Sequence, residues 1–195
     1  MSTVMKAVHY ADDLYAELEA LPENLTGEII NGRLYAQPRP ASRHTLAESS
    51  LGGELYGPYH RGRGGPGGWW ILVEPEIHFI RDTEVLVPDL AGWRRDRMPR
   101  LPRDQRIEVV PDWVCEILSP STARKDRVTK MPVYARYGVP YLWLVDPLAQ
   151  TLEVFALQEG RWTVIGQFQE QQIVSVEPFQ EIGLELGALW ENTED

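Results

Sequence analysis

Two carboxylates stand in segments that the sequence predicts to be buried strands, where an acid is costly unless it has a partner. Glu116 lies inside the apolar run DWVCEILS (residues 112–119), and a buried carboxylate needs a cation, hydrogen-bond donors or a metal ion. Asp89 follows Pro88, where the segment VLVPDL bends. We expect the two carboxylates within ~6 Å of each other, close enough to share Mg²⁺, which prefers a few carboxylates, waters and phosphate oxygens.

A lysine from the following helix is expected to complete this pocket. Lys130 and Asp126 are four residues apart and therefore share a helix face. Pro132 lacks the N–H that a helix interior uses, so the helix must kink near residues 128–132 or begin just before the proline. We expect the Lys130 ammonium to point toward Glu116 and Asp89, and Lys130→Met to abolish catalysis without unfolding the protein. Lys125 is the next lysine to test.

Each of these residues also has a purely structural interpretation. Pro-Asp is a common turn pair, Glu116 could belong to a buried salt bridge, and Lys130 could be a solvated helix residue. Asp126 could be a helix-start residue favoured by the helix dipole, and His44 could be a surface or capping residue. The joint order of these residues along the chain therefore carries the functional interpretation.

Basic residues are concentrated in the middle of an acidic chain. The 195 residues carry a formal net charge of −10, but residues 33–130 contain 16 basic and 13 acidic side chains. The stretch RRDRMPRLPRDQR (residues 94–106) holds six arginines and two aspartates. We predict a flexible loop in which Arg94, Arg95 and Arg97 contact nucleic-acid phosphates, which are bound electrostatically. A solvated loop that keeps the protein soluble is the alternative.

The elements that would position these groups follow from periodicity and turn residues. Asn31-Gly32 and Glu159-Gly160 predict two hairpins, and Ser42 can cap a helix. Helices are predicted over residues 10–20, 43–57 and 121–137, a glycine-rich loop over 57–68, and strands over 69–80, 83–93, 112–119 and 140–146. This order predicts a mixed α/β fold in one domain spanning residues 1–195.

Composition excludes several classes of protein. The apolar runs are far shorter than the ~20 residues of a membrane helix, and the N-terminus MSTVMKAVHYADD has no apolar signal core. The single cysteine, Cys115, excludes an internal disulfide or a multi-cysteine metal site. We therefore expect a cytoplasmic protein with no membrane partner.

The segment PDWVCEILSPSTARKDRVTKMPVYARYGVPYLWLVDP resembles the PD-(D/E)XK nuclease superfamily and, within it, the Uma-two family of restriction-endonuclease-like proteins. The resemblance covers roughly residues 8–160. The matching positions are Pro88-Asp89, Glu116 to Thr122, Asp126, Lys130, Tyr134-Ala135, Gly138-Val139, Trp143 to Pro147, the hairpin Gly27 to Gly32, and His44. One position departs from the superfamily pattern: Leu118 stands where a lysine is expected, so Lys130 would supply that cation.

The resemblance implies a restriction-endonuclease-like mixed sheet core flanked by helices, with added N- and C-terminal hairpins. It implies a DNA endonuclease that uses Mg²⁺, with Mn²⁺ as an alternative. Asp89, Glu116 and Lys130 would be catalytic, and Asp89, Glu116 and the Ile117 carbonyl would bind the metal. Residues of second rank lining the site would be Glu28, His44, Glu76 and Asp126. We expect a homodimer, because cutting both strands favours two-fold symmetry.

Two other functions remain open at this point. The chain could keep the fold but act as a catalytically inactive module that binds nucleic acid or protein through its arginine loop. It could also be an unrelated hydrolase that uses Ser119 or Ser121 with His44. No G-x-S-x-G elbow surrounds either serine, which argues against the hydrolase.

Overall fold

The fold was obtained as a computed structural model that describes residues 11–38 and 40–190. The first ten residues, on which the argument about export depends, lie outside this part of the chain. The α-helices of the described part are α1 (Ala11–Glu19), α2 (Ser42–Leu55), α3 (Ala123–Lys125) and α4 (Met131–Arg136). Its π-helical turns are Tyr56–His60, which extends α2, and Asp126–Lys130, which joins α3 to α4. Its strands are β1 (Leu25–Ile30), β2 (Arg33–Pro38), β3 (Trp69–Val73), β4 (Ile77–Ile80), β5 (Glu84–Leu86), β6 (Leu90–Arg94), β7 (Trp113–Ile117), β8 (Tyr141–Asp146), β9 (Thr151–Gln158), β10 (Arg161–Gln169), β11 (Ile173–Val174) and β12 (Leu184–Glu185).

A six-stranded mixed sheet forms the centre of the molecule. Its strand order is β10-β9-β8-β7-β6-β3, and only β7 and β8 run parallel. Parallel neighbours need a crossover connection, and the helical segment from α3 to α4 provides it. The mixed α/β class, with a sheet core flanked by helices, is confirmed.

Both predicted hairpins are confirmed, and each lies in a different sheet. Asn31 and Gly32 have φ angles of 52° and 70° and join β1 to β2. Glu159 and Gly160 have φ angles of 49° and 74° and join β9 to β10. The first hairpin belongs to a second, four-stranded sheet of order β2-β1-β5-β4, and the second hairpin forms one edge of the central sheet.

Strand β7 is buried on both faces, as expected for a strand with a parallel neighbour. Trp113, Cys115 and Ile117 pack with α2 and with the C-terminal segment on one face. Val114 and Leu118 pack on the other face, against α4 and residues of the four-stranded sheet. Because side chains alternate along a strand, Glu116 points to this second face, toward the helical segment.

Both π-helical turns contain or precede a proline. Pro132 has no N–H to donate to the carbonyl of Val128. The residue before it, Met131, donates its N–H to the carbonyl of Asp126, five residues earlier, and this bond makes the turn π-helical. Pro58 lies within the first turn, where the Arg61 N–H donates to the Tyr56 carbonyl. The expected irregularity near Pro132 is therefore present, as a wider turn within a continuous helical segment.

Several local predictions were wrong. Residues 69–80 divide into two strands that belong to different sheets, because positive φ at Glu74 redirects the chain. Residues 83–93 are broken at Pro88 as expected, but the two parts belong to different sheets. Ser42 is the first helical residue of α2, and no side chain caps that helix. Residues 57–60 of the predicted glycine-rich loop are helical. Within residues 11–38 and 40–190, no helix is long and apolar enough to cross a membrane.

Candidate active site

Glu116 is the centre of a buried cluster of charged groups. Its side chain is only 2% exposed. The Tyr134 hydroxyl donates a hydrogen bond of 2.5 Å to Oε1, and the Lys130 ammonium lies 2.8 Å from Oε1 and 2.9 Å from Oε2. Glu116 is therefore held from the helical segment that connects β7 to β8.

Three residues of this segment are buried on the face that meets the sheet. Asp126, Lys130 and Tyr134 follow one another at intervals of four residues, and each is at most 3% exposed. Lys130 and Asp126 were expected to share a helix face because they are four residues apart, and they do. Lys130 reaches Glu116 despite Pro132, because the helical segment continues through the π turn.

Lys130 joins Glu116 to a second buried carboxylate, that of Glu28 in β1. The ammonium lies 2.9 Å from Glu28 Oε1 and donates to the Val87 carbonyl at 3.1 Å. An ammonium has three N–H donors, so Glu116, Glu28 and Val87 can together use all of them. Glu28 is also bound by the Val87 N–H at 2.9 Å and by Lys125 at 2.6 Å.

Asp89 lies in the turn between β5 and β6 and is tied to the strand that carries Glu116. The Ile117 N–H donates to Asp89 Oδ2 at 2.5 Å, and His44 Nε2 lies 3.1 Å from Oδ1. Leu90 pairs with Cys115 in the antiparallel register, so Asp89, the residue before Leu90, lies next to the end of β7. The separation of ~6 Å between the two carboxylates stays a prediction.

Burial and neighbouring charges shift the pKa values of the cluster in opposite directions. Burial, with the charges of Asp126, Asp89 and Glu28, raises the pKa of Glu116 well above its usual range although Lys130 opposes this. Burial also raises the pKa of Glu28, but two lysines outweigh it and the pKa falls below the usual value. Burial lowers the pKa of Lys130, and the surrounding carboxylates more than reverse that effect. The pKa values of the two glutamates thus shift in opposite directions because Glu28 has a second lysine beside it.

The donor set and charge of this cluster fit a divalent cation. With every group ionised, four carboxylates and two ammonium groups leave a formal charge of −2; they belong to Glu28, Asp89, Glu116, Asp126, Lys125 and Lys130. The described residues contain no group of three or more His, Cys, Asp or Glu that could hold a metal ion by themselves. Mg²⁺ is usually bound by one or two carboxylates together with waters and phosphate oxygens. Asp89 and Glu116 meet this requirement, since a carboxylate has about four acceptor positions.

Of the remaining second-rank residues, His44 contacts the cluster through Asp89. Burial lowers the pKa of His44, but its hydrogen bond to Asp89 and the charges of Asp89, Glu48 and Asp126 reverse this and raise it. Glu76 lies further away, where it accepts hydrogen bonds of 2.7 Å from Tyr15 and from His78 Nε2. His78 Nδ1 accepts a hydrogen bond from the Asp82 N–H, so Nε2 is the ring nitrogen that donates a hydrogen bond to Glu76.

Glu48 was missed by the sequence analysis. It lies four residues after His44 on α2, a spacing that would have placed both on one helix face. Glu48 is 7% exposed, and its Oε1 has no hydrogen-bond partner among the described residues. Burial, with the charges of Asp89 and Glu74, raises the pKa of Glu48 to about 7.

The structure does not bring Arg94, Arg95 and Arg97 to the candidate site. Arg94 ends β6 and Asp89 precedes it, so they are separated by about 16 Å of strand. Arg95 donates to the carbonyls of Trp69 and His60 and stacks on Trp70 at 4.0 Å. Arg97 pairs with Asp112 at 2.7 Å. Their contact with nucleic acid stays a prediction, and it concerns a surface distant from the carboxylates.

Comparison with known proteins identifies the family and the fold. The Uma2 (Uma-two) family model, described as "Putative restriction endonuclease", matches residues 13–188. Among solved structures, the chain is similar to the crystal structure of "a putative nuclease" from Anabaena variabilis ATCC 29413, with 25% sequence identity and a TM-score of 0.70 over 90% of this chain and 96% of that chain. No curated protein matches the chain. The structural similarity confirms the predicted nuclease-like fold.

Proposed function

Because the chain belongs to the Uma2 family of restriction-endonuclease-like proteins, we propose that it is a Mg²⁺-dependent endonuclease that hydrolyses phosphodiester bonds in DNA. The family description and the related structure support a nuclease-like function. The observation that carries the proposal is the pairing of Asp89 with the strand of Glu116, within a buried cluster that has an excess of negative charge. Such a cluster favours a divalent cation next to a scissile phosphate.

Asp89 and Glu116 would hold the metal ion, with Mn²⁺ as an alternative to Mg²⁺. When bound, the ion supplies a polarised water and neutralises charge on the phosphate. The protein groups around the carboxylates keep them oriented: the Ile117 N–H and His44 hold Asp89, and Tyr134 and Lys130 hold Glu116. Ligands fixed in this way lose little entropy when they bind a metal.

The lysines have different roles in this proposal. Lys130 is a positioning residue, because its three donors can all be used by Glu116, Glu28 and Val87. Lys125 is 15% exposed and donates to Glu28 and to Gln37, each at 2.6 Å. Two of its three donors are thus assigned, and the third can stabilise charge on a substrate phosphate.

The substrate and the oligomeric state are part of the same proposal. A site with two carboxylates and Mg²⁺ suits the phosphodiester of DNA, and cutting both strands favours a two-fold homodimer. A dimer would place two copies of the cluster on the two strands of one duplex. Equilibrium ultracentrifugation with and without duplex DNA measures this state directly.

A cleavage assay tests the proposal. Supercoiled plasmid, linear duplex, single-stranded DNA and RNA are incubated with the protein in Mg²⁺, in Mn²⁺ or in EDTA. We expect metal-dependent cleavage of DNA that falls at least 100-fold in Asp89→Asn, which keeps the side-chain shape but removes the charge that holds the metal. Glu54→Gln on α2 is the control, since Glu54 is not part of the cluster. Equal cleavage by Asp89→Asn, or cleavage in EDTA, would contradict the proposal.

A catalytically inactive binding module is the second candidate. Two observations favour it: all the donors of Lys130 can be used within the protein, and Glu116 is enclosed by Lys130 and Tyr134. The module would bind the same nucleic acids without cleaving them in either metal. Binding measured by electrophoretic mobility shift beside the cleavage assay separates the two candidates.

A further inference from the structure

A pocket in the described part of the chain adjoins the charged cluster. It has a volume of about 780 Å³ and is bordered by the end of α1, the start of β1, α2 and the loop that carries Leu101 to Ile107. Val87 lines it, and both backbone groups of Val87 are bound by Lys130 and Glu28. Glu74 lines it as well, and its N–H donates to the Asp89 carbonyl at 2.9 Å. The pocket wall is therefore connected to Asp89 through the backbone of Glu74.

The lining selects against an anion and for a flat, donor-rich group. Five acidic side chains line the pocket, whereas Lys, Arg and His are absent from its described lining. The acids are Glu23, Glu48, Glu74, Glu76 and Asp104. The remaining wall is largely apolar and includes Leu18, Leu21, Leu25, Leu101 and Ile107. A phosphate would be repelled here, but an uncharged ring with N–H groups on its edge would not.

Glu48 provides an acceptor that lacks a donor. Its side chain is more than nine-tenths buried, it lines the pocket, and its Oε1 has no hydrogen-bond partner in the part of the chain that the structure describes. An unpaired buried acceptor is costly, so a ligand N–H at this position would be recognised. Glu76 differs from Glu48, because Tyr15 and His78 already donate hydrogen bonds to its Oε1.

We propose that this pocket binds a guanine base of the nucleic-acid substrate, with Glu48 accepting the N1–H and N2–H hydrogen bonds of the base. The proposal rests on the proposed function for the identity of the substrate. Guanine has two adjacent donors on its Watson–Crick edge, which match the two oxygens of one carboxylate. Adenine and cytosine place a ring acceptor next to their amino group, and thymine flanks its single N–H with two carbonyls. The pocket would thereby add a sequence preference beside the cleaved bond.

Nucleoside binding tests the pocket independently of cleavage, because nucleosides carry no phosphate. Saturation-transfer NMR titrations of the full chain compare deoxyguanosine, deoxyinosine, thymidine and methylguanidinium. Deoxyinosine lacks only the N2 amino group, and methylguanidinium keeps two adjacent donors without the purine ring. We expect deoxyguanosine to bind at least 10-fold more tightly than each of the others. We expect Glu48→Gln to remove this preference and Glu54→Gln, on the same helix but outside the lining, to keep it.

The outcomes separate this proposal from the proposed function. Deoxyguanosine that binds no more tightly than deoxyinosine or thymidine, or a preference unchanged in Glu48→Gln, overturns the guanine pocket even when Asp89-dependent cleavage is present. Methylguanidinium that binds as tightly as deoxyguanosine also overturns it, in favour of a site for organic cations. Selective binding of deoxyguanosine without any cleavage supports the pocket and contradicts the nuclease.

Discussion

Lys130→Met is the substitution whose expected effect changes most when the structure is considered. The sequence alone predicted that this variant would fold normally. In the structure, Lys130 is 2% exposed and lies between Glu116 and Glu28, which are 2% and 1% exposed. Methionine fills a similar volume but leaves Glu116 without its cation and Glu28 with Lys125 alone.

The size of the effect follows from the buried ion pairs. Removing one partner of a buried ion pair costs about 3–5 kcal/mol of unfolding free energy, since the remaining charge is left unpaired. For a domain with a urea m-value of ~2 kcal/mol/M, this lowers the unfolding midpoint by about 1.5–2.5 M. Urea titrations followed by tryptophan fluorescence measure this directly. Lys125→Met is the control, and we expect a smaller loss because Glu28 then keeps Lys130 and the lost cation is partly exposed.

The loss should also depend on pH in a defined direction. In the wild type, the pKa of Glu28 is lowered, so its contribution to stability is present above its unfolded pKa and is lost as the pH falls through the folded pKa. Without Lys130, Glu28 and Glu116 bind protons more readily in the folded state, and stability decreases as the pH rises. The difference between variant and wild type is therefore larger at pH 8 than at pH 5. A variant as stable as wild type at pH 8 would refute the role of Lys130 as the counter-ion of both glutamates.

Three further variants test other parts of the account. Glu48→Gln should raise the free energy of unfolding at pH 8 by about 1–3 kcal/mol and have little effect at pH 5. The reason is that the pKa of Glu48 rises from 4.5 to about 7 on folding, so the wild type loses stability as the pH rises through this interval. Thermal unfolding at both pH values measures the two changes, and a change of the same size at pH 5 and pH 8 would contradict the assignment. Tyr134→Phe should cost about 1–3 kcal/mol by removing the hydroxyl that Glu116 accepts and should weaken Mn²⁺ binding in calorimetry; unchanged stability and affinity would count against this contact. Arg94→Gln should reduce the log–log salt dependence of duplex DNA binding by ~0.9 if Arg94 contacts a phosphate, and an unchanged slope would assign Arg94 to a solvated loop.

Local signals in the sequence were sufficient for some elements. Asn31-Gly32 defines its hairpin because both residues adopt positive φ readily, and Gly160 does the same in the second hairpin. The interval between Asp126 and Lys130 placed both on the buried helix face, since that depends only on helical periodicity. Glu116 was found because an acid inside an apolar strand requires a partner.

Other features depend on contacts between distant parts of the chain. Glu28 and Lys130 are brought together by a second sheet whose pairing no local signal predicts. Arg94 is distant from Asp89 because the two residues lie at opposite ends of β6. Glu48 was overlooked because its significance lies in an unpaired oxygen beside a pocket, and the sequence shows neither.

The central claim is that Asp89 and Glu116 together hold the metal ion, and diffraction from crystals soaked in Mn²⁺ tests it most directly. Anomalous scattering locates the ion without reference to activity. The account predicts one strong peak at ~2.1 Å from a carboxylate oxygen of Asp89 and from an oxygen of Glu116, and its loss in Asp89→Asn crystals soaked in the same way. No peak at this cluster under conditions in which the protein cleaves DNA, or a peak that persists in Asp89→Asn, would contradict the account.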